Sequence, residues 1–268
     1  LNGGTDASKF SINISTGALT FSSAPDYESP TDTDSGNDYV VVVRATDSAG
    51  NTSDQTVTIS VTNARDLTQV GSDIDGETSY DNSGAAISLS NDGSVLAIGA
   101  YNNDGNGTNS GHVRIFKNIN KVWTQVGSDI DGEDSNDLSG SSVSLSSDGS
   151  VIAIGAPNND GNGEDSGHVR IYKNVNGIWR KIGDDINGEG AYDYSGNSVS
   201  LSSDGSIVAI GATQNPKDNY GGDPGHVRIY KNESGTWTQI GSDIDGDYAD
   251  HLGWSVSLSS DGSVVAIG

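Results

Sequence analysis

The chain has 268 residues, 37 acidic side chains against 13 basic ones, and a formal charge of −24. Binding to phosphates is driven by clustered basic side chains and counterion release, so a surface of this sign excludes nucleic acid as a partner. Cys and Met are both absent, which excludes a disulfide framework, a thiolate metal site and a thiol nucleophile.

In chain order, the first segment is SKFSINISTGALTF, two short strands about a Thr16-Gly17 turn. A loop containing DYESPTDTDSGN comes next, then the alternating pair YVVVVRATD and DQTVTISVT joined by SAGNTS. Strand pairs of this kind suit an antiparallel β-sandwich. Residues 1–65 share no repeat with the remainder of the chain and form a separate β-sandwich domain.

From residue 66 the chain repeats itself. Residues 66–121, 122–177 and 178–235 are three copies of one unit, and 236–268 is a partial fourth. Gly71, Gly127, Gly183 and Gly241 mark equivalent places. Each copy holds an alternating segment (SSVSLS), an Asp-Gly pair and an apolar run (VIAIGA), which together predict a hairpin with a type I′ turn. The alternating HVRIYKN comes third, placing Val169 and Ile171 on one face and His168, Arg170 and Tyr172 on the other. A fourth strand reads VWTQVG or IWRKIG. Four short strands make a sheet too small to cover both of its own faces, so neighbouring sheets must do so. Radial stacking gives a β-propeller; a linear solenoid has shorter coils without paired Asp-Gly hairpins. The expected fold class is therefore all-β: a partial β-propeller of four-stranded antiparallel blades, about three and a half of them, preceded by a truncated sandwich.

The stretch GSSVSLSSDGSVIAIGAPNNDGNGEDSGHVRIY resembles the FG-GAP repeat of bacterial surface proteins, to which integrin propellers are distantly similar. The family's Phe is replaced by Ser83, Ser139, Ser195 and Leu252, and the full GAP survives only at Gly155-Ala156-Pro157. The resemblance implies blades over about 83–127, 139–183 and 195–241. It leaves LTQVG at 67–71 as an orphan strand, expected to complete the last blade of a longer ring, of which this chain is an internal piece. Residues 1–65 resemble a cadherin-like domain through their F-x-I-x-x-x-T-G-x-L, D-Y-E and A-x-D-x-x-G-N signatures. That resemblance implies calcium ligation by Asp26 and Glu28, opposed by Arg65 in the degraded partner motif Asn63-Ala64-Arg65-Asp66.

Three recurrent constellations are candidate sites. The first is an acidic connector: Asp73, Asp75, Glu77 and Asp81; Asp129, Asp131, Glu133 and Asp137; Asp185, Asn187, Glu189 and Asp193; and Asp243, Asp245, Asp247 and Asp250 in the partial copy. Carboxylates this dense repel unless a cation or solvent intervenes. Calcium accepts such hard oxygens, while a solvated Asp-Gly turn explains the same residues. The second, Asn158-x-Asp160-x-Asn162-Gly163 with its first-copy counterpart, has the oxygen spacing of a calcium loop but lacks the acidic twelfth position, and TQNPKDNYGG replaces it in the third copy. It reads as a turn. The third is His112, His168 and His226, one per copy and expected as side chains packed beside the next blade. Trp123, Trp179 and Trp237 are expected at blade-to-blade contacts, with Leu67 in the matching place of the first copy, rather than on sugars.

No His and carboxylate stand at a spacing that marks a triad, and acids repeated in every copy argue for structure over one active site. The expected function is a non-catalytic extracellular or cell-surface adhesion module, stabilised by calcium, with a protein or glycan ligand and no membrane insertion by this segment. The alternative is a propeller-based carbohydrate-binding protein or carbohydrate-active enzyme.

Overall fold

The computed structural model describes residues 1–63, 68–214 and 224–268. Arg65 and its neighbours 64–67, and most of the TQNPKDNYGG loop with Pro216, lie outside the described residues. The chain divides into two units, Leu1–Gln69 and Val70–Gly268. No helix among the described residues is long and apolar enough to cross a membrane.

In the first unit, β1 (Phe10–Ile12) pairs with β2 (Leu19–Phe21), and β3 (Asp38–Thr46) pairs with β4 (Thr52–Ser60), both antiparallel. Gly17 makes the first turn at φ +72°. The two hairpins meet through Phe10, Phe21 and Tyr39, the last standing edge-on to both rings. Buried Asp6 accepts the backbone N–H groups of Val40 (2.8 Å) and Thr33 (2.7 Å), which holds its carboxyl below the usual range despite burial. The unit is thus two stacked hairpins.

The second unit is a partial β-propeller. Its first blade contains β5 (Ala86–Leu89), β6 (Val95–Ala100), β7 (His112–Ile119) and β8 (Val122–Gln125), with the short β9 (Ile130–Asp131) also paired to β7. The second repeats this with β10 (Ser142–Leu145), β11 (Val151–Ala156), β12 (His168–Val175), β13 (Ile178–Lys181) and β14 (Ile186–Asn187). The third consists of β15 (Ser195–Leu201), β16 (Ile207–Ala212), β17 (His226–Glu233), β18 (Thr236–Gln239) and β19 (Ile244–Asp245). The hairpin β20 (Val256–Leu258) and β21 (Val265–Ile267) closes the series. Residues 68–71 form no strand.

Period-two alternation explains why VIAIGA is apolar throughout. Ile152 and Ile154 pack against Val95, Ala97, Val113 and Ile115 of the first blade, whereas Val151 and Ala153 share a core with Val208 and Ile210 of the third. Both faces of β11 are covered, each by a different neighbour. The first strands of successive blades are joined by the Leu145 N–H on Ser88 Oγ (2.9 Å), Leu201 on Ser144 (3.0 Å) and Leu258 on Ser200 (2.9 Å). Farther out, the Trp179 indole N–H donates to the Val126 carbonyl of the preceding blade (2.9 Å), as Trp237 does to Ile182 (3.0 Å), while Trp123 donates to the Val70 carbonyl ahead of the first blade (2.9 Å). The Trp residues therefore tie one blade to the next.

The hairpin turns differ from expectation. A type I′ turn needs two central residues at positive φ, but in Ser146-Ser147-Asp148-Gly149 only Gly149 is there, at +66°. The Gly149 N–H bonds the Ser146 carbonyl (2.9 Å), while Asp148 accepts the Ser146 hydroxyl (2.7 Å) and the Ser150 N–H (2.9 Å). Side-chain acceptance by Asp148 stabilises ordinary negative φ for itself and leaves the left-handed step to glycine. A Cβ on Gly149 would also stand 2.6 Å from Val95 of the preceding blade.

Candidate functional site

The acidic connectors carry the chemistry, but each is divided between two blades. Asp131 lies on β9 with its carbonyl accepting Arg170 Nη2 of the next blade at 2.6 Å; the Asp75 and Asn187 carbonyls accept Arg114 (2.7 Å) and Arg228 (2.8 Å) in the same way. Each Arg lies over the aromatic ring two residues on, 5.4–5.8 Å from its centroid. Strand pairing in β7 sets His112 opposite Asp131, and β12 and β17 repeat this with His168 opposite Asn187 and His226 opposite Asp245.

That register gathers groups distant in sequence. Glu77, His112 and Asp129 form one cluster, Glu133, His168 and Asp185 a second, and Glu189, Asp193 and His226 a third; within each, one potential ligand atom per residue lies within 4.8 Å of the others. His112 Nδ1 is 3.9 Å from Glu77 Oε2 and 3.9 Å from Asp129 Oδ2. In the first two clusters the first Asp of a connector serves the blade the chain leaves and the Glu serves the blade it enters, whereas the third takes Asp193, from the same connector as its Glu. Glu77 Oε1 also faces Arg114 (3.7 Å), and Glu133 faces Arg170 (3.3 Å). Asp185 accepts Lys181 Nζ at 2.7 Å, where the first blade has Gln125 on Asp129.

All three His side chains are buried. Burial foremost, then the neighbouring Arg170, pushes the His168 imidazolium down to about 4; burial and Arg228 lower His226 as well. Both rings are therefore neutral at neutral pH. Neither ring nitrogen of His226, nor Nε2 of His168, finds a hydrogen-bond partner among the described residues.

The last Asp of each connector is a fastener. Asp137 Oδ2 accepts the Asp134 N–H and the Asn159 side-chain amide, both at 3.0 Å; Asp81 does the same with Thr78 (3.2 Å) and Asn103 (2.9 Å). Asp193 accepts the N–H groups of Glu189 (2.6 Å) and Gly190 (3.0 Å), though burial raises its pKa. Left-handed residues flank each one: Tyr80 and Asn82, Asn136 and Leu138, Tyr192 and Tyr194. Such backbone costs roughly 1–2 kcal/mol per non-glycine residue, so the buried carboxylate must hold the turn shut. Among the loops expected as turns, Asn106 Nδ2 donates to the Gly132 and Glu133 carbonyls (2.8 and 3.1 Å), and Asn162 to Gly188 and Glu189 (2.8 and 3.0 Å). Asp73 is exposed, and so is Asp75.

In the first unit, exposed Asp26 accepts the Glu28 N–H at 3.0 Å, and Glu28 accepts the Asn63 amide at 2.7 Å. The acidic motif and the segment leaving β4 are thereby brought together.

These connectors begin a recognisable unit. Residues 73–116 match the model of the FG-GAP repeat family. The matched FG-GAP stretch runs from the first connector into β7, and closely similar sequence recurs from Asp129 and from Asp185. No curated protein matches the chain. Among solved structures, the chain is similar to a putative 6-phosphogluconolactonase from Bacteroides uniformis (12% identity, TM-score 0.48, 96% of this chain and 69% of that one). It is also similar to the periplasmic gluconolactonase PpgL of Pseudomonas aeruginosa (14%, 0.33, 88% and 73%) and to the Dos1 propeller (12%, 0.37, 96% and 69%). The expectation that the chain is not an enzyme does not stand: it rests on repetition, and repetition of one module along a chain is no argument against catalysis.

Calcium binds through hard oxygens. Every blade cluster brings an imidazole instead, and Asp81, Asp137 and Asp193 spend oxygens on N–H groups.

Proposed function

We propose that this chain is an adhesion or recognition module of a cell-surface or secreted protein, with a protein or glycan as its ligand. The observation that supports this most is a polar cleft of about 670 Å³ at the first connector, lined by Glu77, Tyr80, Asn102, Asn109 and Asp129, with Tyr80 91% exposed. An exposed aromatic ring among amides and carboxylates offers both a stacking face and hydrogen-bonding groups. The FG-GAP match supports an extracellular setting, and the first unit, two stacked hairpins, serves in this reading as a cadherin-like spacer. Calcium is the ion we propose for Asp26 and Glu28, whose donors are all oxygens. The test is binding of the full chain to a glycan array and to immobilised extracellular matrix proteins. Saturable binding that Tyr80→Ala abolishes at unchanged melting temperature supports the reading; binding no stronger than that of an unrelated acidic protein contradicts it.

A second reading, a carbohydrate-active enzyme, is favoured by one feature, the buried imidazole of His112 between two carboxylates. Turnover of an arrayed glycan or sugar lactone, abolished by Asp129→Asn, would establish it.

A further inference from the structure

The geometry points to a transition-metal site in each blade: Glu77–His112–Asp129, Glu133–His168–Asp185 and Glu189–Asp193–His226 each bind one divalent ion of the zinc class. This rests on the blade geometry; the first site shares Glu77 and Asp129 with the cleft described above, whereas the second and third sites lie outside it.

The spacing is the first argument. A hydrogen bond from an imidazole to a carboxylate spans roughly 2.7–3.2 Å, but His112 Nδ1 stands 3.9 Å from both Glu77 Oε2 and Asp129 Oδ2. That distance is too long for a proton and suits an ion between them, since ligands about 2.0–2.2 Å from a zinc ion can be at most ~4.4 Å apart. The second argument is the orphaned imidazole. His226 is 0% exposed and neither of its nitrogens has a hydrogen-bond partner among the described residues, while it faces Glu189 and Asp193. A buried polar group without a partner is costly, and a metal ion supplies one.

Donor type selects the ion. One imidazole with two carboxylates suits zinc and its neighbours, whereas calcium and magnesium prefer oxygen alone. In the first two clusters an Arg takes one carboxylate oxygen of the Glu: Glu77 turns Oε1 to Arg114 and Oε2 to His112, and Glu133 turns Oε1 to Arg170. It orients the ligand and leaves its second oxygen directed at the cluster. Lys181 engages Asp185 in the second cluster, where it competes with a cation, so the first cluster is the tighter of these two.

The full chain, stripped with chelator, is titrated with cobalt(II) and with zinc at neutral pH, following cobalt absorption and heat. Three saturable equivalents are expected, undisturbed by excess calcium. His112→Gln, His168→Gln and His226→Gln should each remove one equivalent, and the triple variant all three. His251→Gln, outside the clusters, should remove none. If the His variants fail to fold, the pair Glu77→Gln and Asp129→Asn decides, because both side chains are partly exposed: loss of one equivalent with His112 intact supports the site. Absence of saturable uptake, uptake unchanged in the triple variant, or displacement of cobalt by calcium would overturn the proposal.

Discussion

Leu89 and Leu145 occupy the same place in the first and second blades, yet Leu89 is 55% exposed and Leu145 only 8%. The sequence around them is nearly identical, so local sequence does not decide the difference. Leu145 lies against the first blade's Val95 and Ile115, and no sheet among the described residues covers Leu89 in the same way. Burial in this fold is a property of the interface between blades, and stability is close to a sum of such nearest-neighbour terms.

The sharpest break of that comparison is a pair of truncations. Leu145→Ala should cost about 2–5 kcal/mol, the range for a buried leucine, while Leu89→Ala should cost less than about 1 kcal/mol, since most of its surface is in water already. Urea unfolding of the two variants measures both, and equal losses would contradict the comparison. Asp137→Ala comes next. It deprives the buried Asn159 amide and the Asp134 N–H of their acceptor and should cost about 1–3 kcal/mol. Trp179→Phe, which keeps an aromatic ring and removes the N–H on Val126, should cost about 1 kcal/mol, read as a lower melting temperature.

The smallest effect is acid sensitivity. The Ser94 N–H, with the Ser90 hydroxyl, holds the Asp92 carboxyl down to about 2, and Ser263 and Ser259 do the same for Asp261. The folded chain then binds fewer protons than the unfolded one between these values and the ordinary 3.8. Their contribution is complete above about pH 4 and is lost as the pH falls through about 2. Asp92→Asn should flatten the urea midpoint over that window and leave it parallel to the parent above pH 5.

Much of the fold is legible in the sequence because period-two alternation and a fixed repeat report strand pairing directly. VIAIGA, apolar on both faces, marks a strand covered twice. The turn type is not legible from the Asp-Gly pair alone, because Ser146 and Ser150 engage Asp148 and leave only Gly149 left-handed. The clusters are half legible. The carboxylates and the His each stand out in the repeat, but Glu77 is 35 residues from His112, and only the pairing of β7 with β9 and the entry of the connector bring them together. The signal that could join them is co-occurrence: every complete copy has the acidic pair and the His together.

Hydrogen exchange resolved strand by strand tests the central claim most directly. Interface-built stability predicts that amides of Ile152 and Ile154 in β11, with both faces covered, exchange only through global unfolding, and that those of β21, with Val264 exposed beside it, exchange much faster. Uniform protection across the blades would contradict it.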